Sequence, residues 1–289
     1  MVVQKEPLNP YLDSAGNPQL LQSVVAFVDI LGYKDMTQCA IEQGQGHEFL
    51  CGLNETMSKA LQPMELTSGI WSGVPAPWSI KTFSDNIVIG YPIHHKDGEL
   101  ELSIVLSRLG EFQLHMTLSR FFIRGAVAFG DLFMGDQIIF GPALIEAYYA
   151  EKHFARDPRI VLTKSAISAM TAQLKGYPAM QKAWHHDLIL RDADGQFFLN
   201  YLDEIVAYEH DMGYPDAEAL ALHRDVVTEH LAKFAGVPPR WVKYLWTAMY
   251  HNFFCDERYD FPDSMKVDSS HIQIAPARLS PFNDEKIQV

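Results

Sequence analysis

A chain of 289 residues with 36 acidic and 23 basic side chains carries a net charge of −13, which argues against non-specific binding to nucleic acid or to an anionic membrane. Apolar residues make up 48% and charged residues 20%, enough for a large core and too little polarity for extensive disorder. No apolar run reaches the ~18 residues that a membrane helix needs. Cys39, Cys51 and Cys255 fit neither a metal-ligand spacing nor an even disulfide set, so they read as reduced thiols of a cytoplasmic protein.

Residues 1–20 are polar and proline-punctuated, an irregular leader rather than a signal peptide. Ser23 to Leu31 reads as a buried strand. From Asp35 to about Gln62 the pattern is helical, with Phe49, Leu53, Met57 and Leu61 four apart. Residues 68–78, with two glycines and two prolines, predict a loop. Residues 79–93 are β-rich throughout, a strand with a hairpin partner. Val105, Leu109, Phe112 and Met116 define one face of a helix over about 100–120. A strand and its turn follow over 121–135, then a helix over 140–155 entered through Gly141-Pro142, then a strand over 158–163. Residues 185–202 predict a hairpin turning at Asp194-Gly195, and 215–254 is helical around "GVPPR". The tail from 262 is expected on the surface. The order predicts an α+β, βαββαβ (ferredoxin-like) sandwich with an extra helix and strand over 21–200, and a C-terminal helical region and polar tail over 201–289.

Two aspartates carry the chemistry. Asp29 lies inside the apolar "VVAFVDILGY", where an unpaired carboxylate costs several kcal/mol. Alternation puts Val25, Phe27 and Asp29 on one strand face, and Lys81, Phe83 and Asp85 together on the next. If the strands are neighbours the carboxylates converge, and they repel unless a proton or cation lies between them. Hard divalent ions suit such oxygens and leave positions open for phosphates. A strand-end aspartate that merely caps a turn is the competing reading, weakened by each aspartate's apolar setting.

In these stretches the chain resembles the class III nucleotidyl cyclases. "AFVDILGY" is similar to their first-strand motif, "KTFSD" to their hairpin motif, and "IRGAVAFGDLFMG" with "FGPALIEAYYAE" to their later strand and helix, in the same order over about 22–165. The resemblance implies two Mn²⁺ or Mg²⁺ ions held by Asp29, Asp85 and the Ile30 carbonyl. It also implies phosphates cradled by the backbone of Leu31, Gly32 and Tyr33, and a homodimer with the active site at its interface. Where the family's adenylyl cyclases carry a purine-reading aspartate, this chain has Ile138. Where they carry an asparagine and an arginine, it has Ile145 and Tyr149.

In texture, "FSDNIVI", "RGAVAFGDLF" and "DGQFFLNYL" resemble the bacterial pyrimidine cyclases of Pycsar antiphage defence. That implies a uridylate cyclase making cyclic UMP from UTP for a separate cyclic-nucleotide-activated effector, with Lys81 donating to a pyrimidine carbonyl. Cyclic CMP synthesis and a non-catalytic nucleotide-binding module are the alternatives.

Arg124, central in "FFIRGAVAF", reads either as a phosphate or interface residue or as the partner of a carboxylate at the sheet edge. Gly125, Gly130 and Gly135 suggest crowding and turns rather than phosphate binding. His94-His95 and His185-His186 read as exposed histidines rather than zinc ligands. The aromatic run 240–254 reads as core. No Ser-His-Asp or Cys-His arrangement supports a hydrolase.

Overall fold

The computed structural model describes residues 9–66, 78–177, 184–207, 216–258, 261–268 and 279–281. Much of the predicted loop, the side chain of His185 and most of the polar tail lie outside these residues.

The first strand, β1 (Leu21–Ile30), lies at the centre of the sheet, which is why nearly every residue in it is apolar. Two helices follow, α1 (Tyr33–Glu42) and α2 (Gly46–Leu66), where the periodicity predicts one. The break falls at Gly44, whose φ of 71° ends the first helix. The β-rich segment is the expected strand with its hairpin partner, β2 (Ser79–Phe83) and β3 (Asn86–Pro92). Its turn is Ser84-Asp85, so Asp85 is a turn residue and does not alternate with Lys81 and Phe83. Helix α3 (Glu99–Leu118) buries Val105, Leu109, Phe112 and Met116 as its spacing requires. Strand β4 (Ile123–Met134) then pairs with β1 along its length.

These pieces form the βαββαβ unit in sheet order β2-β3-β1-β4, antiparallel at every junction. Short β5 (Ile139–Phe140) folds back on β4, and α4 (Pro142–Phe154) starts with Pro142 at its first turn. Strand β6 (Ile160–Leu162) extends the sheet, parallel to β4. Helix α5 (Lys164–Leu174), which the sequence reading did not assign, follows directly. Strands β7 (Ile189–Arg191) and β8 (Phe197–Leu199) form the predicted hairpin, with Gly195 at φ 86° in its turn. Short α6 (Glu204–Ala207) leads to α7 (Ala217–Lys233) and α8 (Pro238–Arg258), a pair interrupted where "GVPPR" stands. The tail does not stay wholly on the surface. Val267 is buried, and β9 (Ser280–Pro281) pairs with β7.

The sheet is covered on both faces. On one, Val24, Ala26, Val28, Ile87, Ile89 and Val127 pack against α2, α3 and α5. On the other, Val25, Val88 and Ala128 pack beneath Ala143 and Ala147 of α4. Beside α4 the same face is covered by Tyr250 and Phe254 of α8, which pack on Ala126, Val161 and Phe198. The aromatic run is therefore core, as its composition suggests.

Candidate active site

Asp29 and Arg124 face each other across the β1–β4 ladder, on the face that α4 covers. The Arg124 Nε donates to Asp29 Oδ2 at 2.9 Å, and its Nη2 lies 2.9 Å from Glu151 Oε1 on α4. The aspartate in the apolar strand is thus paired with an arginine of the neighbouring strand. Strand β4 is interior, flanked by β1 and β6, so the arginine is not at a sheet edge as the sequence suggests. Its guanidinium is committed to two carboxylates rather than free for phosphate. Behind it, Gly125 lets β4 approach β1, since a Cβ there would come within 2.6 Å of the Phe27 carbonyl. Crowding, as predicted, explains this glycine.

Asp85 reaches the same place from the β2–β3 turn. The Ile30 N–H donates to the Asp85 carbonyl at 3.0 Å, which ties the turn to the end of β1. Asn86 Nδ2 donates to Asp85 Oδ1 at 3.2 Å. Burial raises the Asp29 pKa most strongly; the bond to Arg124 opposes this, and the nearby Asp85 carboxyl adds to it. Glu151 is raised by burial first, opposed by Arg124, with Asp29 and Asp85 contributing further repulsion. Three carboxyls therefore crowd around one guanidinium. Glu151, only 5% exposed, is the member that sequence reasoning missed. Its one signal was Arg124 itself, which needs acidic partners wherever an apolar strand buries it.

This donor set fits a divalent cation. Its oxygens are hard, and they carry more negative charge than Arg124 offsets. Asp29 keeps one oxygen outside the bond to Arg124. Among the described residues no group of three or more histidine, cysteine, aspartate or glutamate side chains could enclose a metal ion. An ion here would rest on two carboxylates and fill the rest of its shell from water, the usual mode of Mg²⁺. Ile30, the last residue of β1, follows Asp29 directly.

The start of α1 adjoins the pair. Gly32 takes the left-handed conformation (φ 78°) that lets the chain turn directly from strand to helix, and no side chain caps the helix. Tyr33 lines an open depression of about 550 Å³ together with Ser84 and Asp85. Leu31 is a correction to the expected cradle. Its N–H is already donated to the Phe122 carbonyl at 2.8 Å, which leaves the N–H groups of Gly32 and Tyr33 for an anion.

Lys81 stands apart from the aspartates. It is opposite Val88, and Val88 is opposite Phe27, so it shares their sheet face nearer the edge. Its Nζ lies 3.2 Å from Asp136 Oδ1. Ile138, Ile145 and Tyr149 are all exposed, as is Phe83 (79%) in the same cross-strand row as Asp29. His186 is buried, not exposed as its doublet suggests, and His95 is bonded to Glu101.

No protein-family model matches the chain, and no curated protein matches it. Among solved structures it is similar to the guanylyl cyclase Cya2, with a TM-score of 0.41 and 12% identity over 52% of this chain and 79% of that one. It is also similar to a class III adenylyl cyclase-like ATP-binding protein from Pseudomonas aeruginosa, with a TM-score of 0.41 and 13% identity over 57% of this chain and 39% of that one. The sheet order and its pairing define a ferredoxin-like α+β sandwich whose sheet is extended beyond β4.

Proposed function

We propose that the chain is a nucleotidyl cyclase that converts a pyrimidine nucleoside triphosphate, UTP in preference, to the 3′,5′-cyclic nucleotide and pyrophosphate. The convergence of Asp29 and Asp85 beside the uncapped start of α1 carries this reading. In-line attack of a ribose hydroxyl on an α-phosphate needs a charged triphosphate held still and the attacking oxygen activated. Asp29 and Asp85 would hold two Mn²⁺ or Mg²⁺ ions, whose positive charge would make the 3′-hydroxyl more acidic and offset charge on the pyrophosphate.

The chain's own residues position these partners. Arg124 holds the Asp29 carboxyl in orientation, and Glu151 holds Arg124. The N–H groups of Gly32 and Tyr33 orient phosphate oxygens at the positive end of α1. Lys81 is the donor for a pyrimidine carbonyl, with Asp136 its resting partner. Ile138, in place of the family's purine-reading aspartate, favours a pyrimidine.

A second copy completes the site. Phe83, Ile145 (69% exposed) and Tyr149 (55%) leave apolar surface uncovered around the face that carries Asp29, which suits an isologous dimer. A role as second-messenger synthase in bacterial antiphage defence, feeding a cyclic-nucleotide-activated effector, extends the resemblance drawn from the sequence.

The second reading is a cyclase-like module that binds nucleotide without turnover, favoured by apolar Ile145 and Tyr149 at the positions of two catalytic helpers. Incubation with each of the four ribonucleoside triphosphates and Mn²⁺, with products separated by mass, tests both. A cyclic pyrimidine product from wild type, lost to blank level in Asp85→Ala, supports the cyclase. Nucleotide binding with no product from any of the four favours the module, and turnover that survives Asp85→Ala overturns the metal assignment.

A further inference from the structure

Between α1 and the C-terminal helices lies a second cavity, of about 270 Å³. It begins at Leu31 and Gly32, where β1 passes into α1. Its walls carry four cations, Arg120, Lys233, Arg240 and Lys243, and one carboxylate, Asp35. In a protein with 13 excess negative charges that balance is a local reversal of sign. Arg240 is spent in part on Asp35, and Arg120 on Glu229 at 3.1 Å. The Lys243 Nζ forms no ion pair or hydrogen bond among the described residues, although the residue is half-buried; only its main-chain carbonyl is used, by Thr247 Oγ1 at 3.1 Å.

The position of Lys243 is fixed by the packing of its helix. Its neighbour Tyr244 stands edge-on to Phe122 with ring centroids 5.0 Å apart, and stacks on Phe234 at 5.2 Å. Ala248, one turn on, is buried with Leu31, Phe122, Val226, Val227 and Leu231. The lysine is held facing the end of β1, within electrostatic reach of Asp29, Asp157 and Arg124, and burial with the nearby Arg124 lowers its pKa. A half-buried ammonium without a carboxylate partner is costly unless an anion joins it.

We propose that Lys243, supported by Arg240 and Lys233, binds the terminal phosphates of the nucleoside triphosphate, so that the C-terminal helical region forms part of the substrate site. This rests on the cyclase reading for the identity of the substrate, but the cationic cavity stands independently of it. The cavity opens at Gly32, the residue at which the phosphates meet α1. A triphosphate seated there leaves its last phosphates beside α8. The C-terminal region then does more than support the sheet: it supplies positive charge, which the apolar Ile145 and the neutral Tyr149 do not.

The test separates this site from the cyclase reading. Inorganic tripolyphosphate, without metal, is titrated by calorimetry into the full chain, Lys243→Gln and Lys243→Arg, alongside the KM of each for its triphosphate. Removing an unpaired charge should leave the melting curve intact, which keeps the variant informative. Wild type is expected to bind tripolyphosphate, Lys243→Gln roughly ten-fold more weakly, and Lys243→Arg to recover most of the loss. Binding that depends on Lys243 in a protein that makes no cyclic product supports the site and sinks the cyclase reading. A cyclic product with unchanged KM and unchanged tripolyphosphate binding in Lys243→Gln overturns the site and leaves the cyclase standing. No binding of tripolyphosphate by wild type also overturns it.

Discussion

Replacing Arg124 by methionine should destabilise the protein in a way that depends on pH. The change leaves a side chain of similar length but removes the one guanidinium that bonds both Asp29 and Glu151. Removing one partner of a buried ion pair costs about 3–5 kcal/mol because the other charge stays behind. The Arg124 side chain keeps 26% of its exposure, which places the expected loss near the lower end, about 3 kcal/mol at pH 8. Burial already holds both carboxyls above their ordinary range, and without the arginine they move higher. A folded-state pKa raised above the unfolded one means the folded protein keeps its protons longer. Stability is therefore retained at acid pH and lost as pH rises out of the carboxylate range. At pH 5 the loss should be smaller than at pH 8. Urea unfolding followed by tryptophan fluorescence in chelator, at pH 5 and pH 8, measures both values. An equal loss at the two pH values would refute the charge-crowding account and leave Arg124 a packing residue.

Three further outcomes follow from the same structure. Ile145→Glu places a charge in the exposed apolar surface of α4; sedimentation should show a dimer in wild type and a monomer in the variant, and a monomeric wild type would remove the case for a completed interface. Glu204, packed against Gly110 of α3, has its pKa pushed up to about 8 by burial and then by Glu111. Its proton is kept in the fold between the unfolded value near ~4.3 and pH 8, so wild type loses stability across that window. Glu204→Gln should gain several kcal/mol on wild type between pH 5 and pH 9, whereas parallel stability curves would contradict the assignment. His223 and His251 stack at 5.1 Å with Nδ1 atoms 3.0 Å apart, and burial lowers both, His251 to about 4. The stability of this pair is present above the unfolded histidine value near ~6.5 and is lost as pH falls towards 4. The difference in unfolding free energy between wild type and His251→Gln should narrow over that range, and a constant difference would count against it.

Much of this molecule follows from local sequence. The apolar stretch around Asp29 could only be an interior strand, because alternation would have left polar residues on any solvent face. The four-three-four spacing of Val105, Leu109, Phe112 and Met116 gave α3 its buried stripe, and Asp194-Gly195 gave the late hairpin its turn. Asp29 and Asp85 stood out because carboxylates in apolar runs demand a partner. Periodicity could not reveal the break at Gly44, nor that the expected hairpin turns at Ser84-Asp85, since a stripe or a β-rich run continues in composition across a tight turn. Nor could it name the partners. Arg124 lies 95 positions from Asp29 and meets it only because β4 pairs with β1. Glu151 and Lys243 come from helices that no sequence spacing links to the first strand. Electrostatic pairing depends on distance in space, and that distance was decided by sheet order and by the packing of α4 and α8.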